Sequence, residues 1–149
     1  MNLKQQLYKK CEDFLNQRFQ VIQDTIADLQ NSLQSETKSS AGDKHKTGRA
    51  MLQLEREKAG NQLAEIQKLQ EALQKIDSQS KHTKVALGSV VKTTQSHYFI
   101  AISAGELVIE DTAFYAVSPL TPIAQVLHSK QVGDEIIFRE NSFTNKEIL

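Results

Sequence analysis

The chain has 149 residues, 39% hydrophobic and 24% charged, with 18 basic residues against 18 acidic ones. A formal net charge of +0 excludes the broad positive field that drives direct binding to nucleic acid or anionic membranes, so nucleic acid is expected only indirectly, through another protein. The size suits one or two small domains.

Cys11 is the single cysteine, which rules out an internal disulfide; it is expected to be a small buried hydrophobe in a reducing compartment. The opening stretch MNLKQQLYKKCEDF has no continuous apolar run of the secretory type, and nothing in the chain approaches the ~20 apolar residues of a membrane span. A cytoplasmic protein is expected.

From Leu3 to Gln34 there is neither Pro nor Gly, and apolar residues recur at heptad spacing: Tyr8, Leu15, Ile22 and Leu29 in one series, Phe19, Ile26 and Leu33 in the other. This predicts a long helix with one apolar seam. A second series follows, with Leu52, Ala59, Ile66 and Leu73 accompanied by Leu63, Leu69 and Ile76, and Gly60 weakens it by about 1 kcal/mol relative to Ala without stopping it. Two such seams bury each other in an antiparallel coiled-coil hairpin. At ~1.5 Å rise per residue, an arm of about 33 residues reaches roughly 50 Å.

Between the helical patterns lies ETKSSAGDKHKTGR, residues 36–49, the predicted tip of the hairpin. Its carboxylates are Glu36 and Asp43, against Lys38, Lys44, Lys46 and Arg49, so the tip is basic. His45, next but one to Asp43, adds positive charge as pH falls past about 6.5.

The hairpin is assigned to residues 1–78 and a polar linker to 79–84. From residue 85 to 149 the composition turns to β-branched and aromatic residues. Strands are predicted at Val85–Val91, His97–Ser103, Leu107–Ile109, Ala113–Val117 and Glu135–Phe138, with one short helix at Pro122–Ser129 capped by Thr121. Val90, Tyr98, Ile100, Ile102, Phe114, Ile123, Leu127, Ile136 and Phe138 are expected in the core. About 65 residues make a marginal core, so this domain is expected to lean on the base of the hairpin. The fold class is α+β.

SPLTPIAQVLHSKQVGDEI, from Ser118 to Ile136, resembles the most recognisable stretch of the Gre family of bacterial transcript-cleavage and elongation factors. Leu87-Gly88-Ser89-Val90-Val91 resembles the strand that opens the family's C-terminal domain, and hairpin followed by β domain matches the family's whole architecture. The resemblance implies a partner, RNA polymerase. It implies an FKBP-like C-terminal domain docked at the rim of the polymerase secondary channel, with the coiled-coil tip directed toward the active site. Thr121, Pro122 and Ile123 would then belong to the docking surface, Ser118 and Pro119 would shape the loop, and Leu120 stands where the family tends to carry an acidic residue. Docking is expected to be more apolar here.

In the family, cleavage factors carry two tip carboxylates that share a magnesium ion with the polymerase, which suits a hard cation and a two-metal displacement. Asp43 matches the first and is the candidate metal ligand; Lys46 stands at the second. An ammonium cannot coordinate a metal and repels the cation that the site should recruit. This argues against strong cleavage stimulation unless Glu36 folds back to replace the missing ligand, and favours modulation or inhibition of elongation. No cofactor of the protein's own and no catalytic activity of its own are expected.

Two other function classes remain: an FKBP-like chaperone or prolyl isomerase with a helical arm, and a structural coiled-coil adaptor. The chain has no Gly-x-Ser-x-Gly, no phosphate-binding glycine loop and no Cys or His pair at metal-ligand spacing, and His45, His82, His97 and His128 are scattered.

Overall fold

A computed structural model describes the chain apart from residues 39–42 and the side chains of residues 36–46. Helix α1 runs Leu3–Lys38 and helix α2 Asp43–Gln74; strands β1 Val90–Thr93, β2 His97–Ile100, β3 Gly105–Ile109 and β4 Thr112–Val117 follow, then helix α3 Pro122–Leu127 and strands β5 Glu135–Phe138 and β6 Asn141–Ile148. The class is α+β, two long helices followed by a mixed six-stranded sheet with one short helix. Among the described residues, no helix is long and apolar enough to cross a membrane.

The chain divides into two compact units, one comprising Met1–Phe14 with Gln70–Leu149, the other Leu15–Leu69. In the second unit, burial follows the predicted seam. Phe19, Ile22, Ile26, Leu29 and Leu33 of α1 are half-buried, and on α2 Ala59 and Ile66 are buried with Leu63 half-buried between them. Gly60 lies within α2, and a Cβ added there would meet only the far end of the flexible Arg56 side chain, Nη1 at 3.0 Å. Gly60→Ala is therefore expected to stabilise α2 by about 1 kcal/mol, read as a higher midpoint of helix melting by circular dichroism.

The first unit begins with a reciprocal cap. Asn2 Oδ1 accepts from the Gln5 amide at 2.8 Å and Gln5 Oε1 accepts from the Asn2 amide at 3.0 Å, satisfying two N–H groups that have no partner inside the helix. Leu7 and Cys11 are fully buried, so Cys11 is the expected small hydrophobe, and burial pushes its thiol up to about 12. Tyr8, placed in the seam by its heptad spacing, is only half-buried; the seam here passes through Leu7. Lys4 is 4% exposed, and its ammonium donates to the Ser80 carbonyl at 2.8 Å.

The sheet has strand order β3-β4-β2-β1-β6-β5, with β2 and β4 parallel and the other neighbours antiparallel. While Val108, Tyr115 and Ile137 stay exposed on β3, β4 and β5, each face carries buried residues. One carries Val91, Ile100, Ile136, Phe143 and Ile148, covered by Ala124 and Leu127 of α3; alternation along the strands sends Val90, Phe99 and Phe114 to the other. Tyr98, Ile123 and Phe138, expected in the core, rim this cluster and are half-buried, because a helix of six residues covers only part of a sheet face.

Four sequence expectations are corrected. The segment Val85–Val91 is not one strand: Gly88 has φ +91°, which turns the chain, and Val85 pairs instead with Ser129 and Lys130. The strand starting at His97 ends at Ile100 rather than Ser103, and the short helix ends at Leu127 rather than Ser129. Strand β6 was not expected at all, yet it sits between β1 and β5.

Candidate functional site

The segment from Ser118 to Ile123 is held by its own hydroxyls. Ser118 N–H donates to Ser103 Oγ at 3.2 Å, Leu120 N–H to Ser118 Oγ at 3.1 Å, and Thr121 Oγ1 to the Ser118 carbonyl at 2.7 Å. Thr121 then caps α3, its backbone extended and its Oγ1 accepting from Ala124 N–H at 3.4 Å, and Pro122 takes the first helical position, where its lack of an N–H costs nothing. The cap and the proline are as the sequence predicts. Gln125 closes the loop from the far side, its Nε2 donating to the Leu120 carbonyl at 3.1 Å.

The backbone around Leu120 is thus fixed on both sides while its side chain is 82% exposed. Pro119 and Pro122 are also exposed, and Ile123 turns inward against the core cluster. A shallow groove of about 350 Å³ lies beside the loop, walled by Val85, Ala86, Leu87, Ile100, Pro119 and Ala124. Sequence reasoning missed the first three as part of this site. Leu87 is 39% exposed, but nothing in its residue type announces that it faces Pro119.

Behind Leu87, Ser89 is fully buried; its Oγ accepts from Ala86 N–H at 2.9 Å and meets His82 Nδ1, and His82 Nε2 lies 3.3 Å from Ser80 Oγ. Ser80 Oγ in turn donates to the Asp77 carbonyl at 2.8 Å. A neutral imidazole fits this chain, accepting from Ser89 Oγ at Nδ1 and donating from Nε2 to Ser80 Oγ, whose own proton is used on Asp77. Burial, and then the charge of Lys4, hold His82 below the ordinary histidine pKa; burial, and then Lys92, do the same for His97.

A folded-state pKa below the unfolded one means that the unfolded chain binds more protons. The two histidines therefore contribute stability that is present above about pH 6.5 and is lost as pH falls through their lowered folded values. Urea midpoints are expected to drop between pH 7.5 and pH 5, and the drop should shrink in a chain carrying His82→Gln and His97→Gln.

Of the predicted tip residues, Arg49 is exposed on α2. The side chains of Glu36, Asp43, Lys44 and Lys46, and the tip backbone at 39–42, lie outside the described residues. Asp43, flanked in sequence by the cationic Lys44 and Lys46, is chemically a poor match for a divalent cation.

No family model and no curated protein matches the chain. Among solved structures, one described as the structure of the transcription factor Gfh1 is similar at 16% identity, covering 95% of this chain and 92% of that one with a TM-score of 0.34. At that identity and score the likeness carries no functional weight.

Proposed function

We propose that the protein is a modulator of transcription elongation that binds bacterial RNA polymerase at the secondary channel. In this reading residues 85–149 form the docking domain, residues 79–84 the linker, and residues 1–78 a coiled-coil hairpin whose tip is directed toward the polymerase active site. The observation that carries it is Leu120, held outward by hydrogen bonds on a preformed loop, within the stretch whose sequence resembles the family's docking segment. An exposed apolar side chain on a rigid support is what a protein-docking surface needs, because little conformational freedom is lost on binding. Thr121, Pro122 and Ile123 set the direction of the loop.

The tip acts by charge rather than by catalysis. Lys44, Lys46 and Arg49 pair with phosphates of the transcript or nucleotide, or with the polymerase's own carboxylates, while Asp43 alone does not hold a metal. Nucleic acid is met only within the polymerase, any magnesium is the polymerase's, and the protein works in the cytoplasm.

Capture of purified core RNA polymerase by the intact chain tests the partner. Altering Pro122 should weaken capture, whereas altering the tip should leave it in place; loss of capture only on changing the tip would contradict the docking assignment. In an RNA cleavage assay on backtracked complexes, the wild type is expected to be nearly inert and Lys46→Glu to gain activity. A wild type that already shortens RNA as well as the Lys46→Glu chain would remove the charge-based reading of the tip.

A further inference from the structure

A second cavity in the Met1–Phe14/Gln70–Leu149 unit, about 450 Å³, opens between the first turn of α1 and the sheet and shares no lining residue with the groove beside Leu120. Its size is in the range of sites for small molecules. Its walls separate three kinds of chemistry. Leu3, Ile109 and Phe114 are apolar; Lys92 and His97, opposed in the β1–β2 register, supply a cation and a ring N–H; Glu110 supplies a carboxylate from the β3–β4 turn.

Each polar group is placed by something else in the fold. Thr93 N–H donates to His97 Nδ1 at 3.3 Å, which fixes the neutral tautomer with its proton on Nε2, and the His97 ring is braced against Phe114 with ring centroids 5.5 Å apart. Lys92 holds Glu147 at 3.5 Å, leaving its ammonium further donors. Glu110 sits at φ +49° and Asp111 at φ +67°, a two-residue hairpin turn of the kind that Asn-Gly occupies without strain. A glutamate there costs backbone energy and makes no ion pair among the described residues, which leaves its carboxylate available to a ligand.

We propose that this cleft binds a small zwitterion of the free α-amino-acid class with an apolar side chain, its carboxylate on His97 and Lys92, its ammonium on Glu110, and its side chain against Leu3, Ile109 and Phe114. An anion alone would leave Glu110 facing it without compensation, and a cation alone would meet Lys92. A neutral apolar molecule would strip water from all three polar groups and return no hydrogen bonds. A ligand carrying both charges offers a partner to each wall, with the Lys92 ammonium shared between it and Glu147. Since the walls come from α1 and from the sheet, an occupied cleft ties the first turn of α1 to the strands and stabilises their packing by mass action.

The test uses the full-length protein and three probes followed by amide chemical shifts: L-leucine, N-acetyl-leucine, which lacks the ammonium, and leucinamide, which lacks the carboxylate. Leucine is expected to give saturable shifts at the amides of His97, Glu110 and Thr112 in the millimolar range, with each blocked probe at least about tenfold weaker. Glu110→Gln, an exposed turn residue whose loss leaves the core untouched, should weaken leucine to the level of N-acetyl-leucine and leave N-acetyl-leucine unchanged. Absence of saturable shifts at ~50 mM leucine, equal shifts from all three probes, or an unaltered leucine affinity in Glu110→Gln would each overturn the proposal.

Discussion

Leu120→Ser is expected to weaken capture of RNA polymerase by about 10- to 150-fold and to leave the melting curve of the free protein where it was. The two halves of that statement have one origin. Leu120 is 82% exposed in the free chain, so its replacement removes nothing from the fold, and changes at such surface positions usually stay within about 0.5 kcal/mol. Burying a leucine side chain against a partner is worth roughly 1.5–3 kcal/mol, which converts to the stated range of affinity. The hydrogen bonds from Ser118 and Gln125 involve the Leu120 backbone, not its side chain, so the serine variant keeps the loop. Unchanged capture by Leu120→Ser would show that the partner does not bury this residue. Leu120→Asp sharpens the comparison, because it restores the acidic character that the resembled family tends to have here. If the aspartate variant binds as the wild type does, the grip is electrostatic and the apolar reading of the loop fails.

Gly88→Ala is expected to have the largest effect on stability, lowering the free energy of unfolding by about 2–5 kcal/mol. Two costs combine. Gly88 has φ +91°, where an L side chain is strained by about 1–2 kcal/mol, and an added Cβ would lie 3.0 Å from Cγ2 of Ile76, a buried branched side chain with little room to retreat. Overpacking of that kind adds about 1–3 kcal/mol. The same position fixes the Gly88 N–H on the Ile100 carbonyl at 2.6 Å, so relief by backbone movement would disturb the entry to β1. Urea unfolding followed at the tyrosines of the sheet measures this, and a midpoint equal to wild type would mean that Ile76 yields far more easily than its burial implies. Gly60→Ala, with only the tip of Arg56 beside it, is the matching change of opposite sign.

Local signals made much of the fold legible. Heptad spacing gave both long helices, since an apolar seam must recur at the helical period wherever it occurs. Thr121 and Pro122 gave the start of α3, because a capping hydroxyl followed by a proline has few other uses. The failures have equally local causes. Asn141 to Ile148 hides a strand because its inward residues are Phe143, Asn145 and Ile148: one is polar, and the register shift near Lys92 and Thr93 breaks the period of two between the last pair. The segment Val85–Val91 looks like a strand from its β-branched residues, whereas the positive φ of Gly88 decides otherwise. At the candidate site, the cap and proline of the Ser118–Ile123 segment were readable as a sequence, but the hold on the Leu120 backbone depends on Ser103 and Gln125, and the groove depends on Val85 to Leu87, more than 30 residues earlier in the chain. Such meetings are products of packing and leave no mark on either segment alone.

The position of β6 also has a kinetic consequence. Its hydrogen bonds to the β1 side join residues 50 apart in sequence, as between Thr94 and Thr144, and both β1 and β5 take β6 as a neighbour. Long-range pairings of this kind form slowly, because the entropy of closing the loop is lost before the contacts repay it. Until β6 arrives, β1 carries Val90 and Val91 on an open edge. The chain is then most prone to pair with a strand of another molecule during this interval, before the sheet is complete.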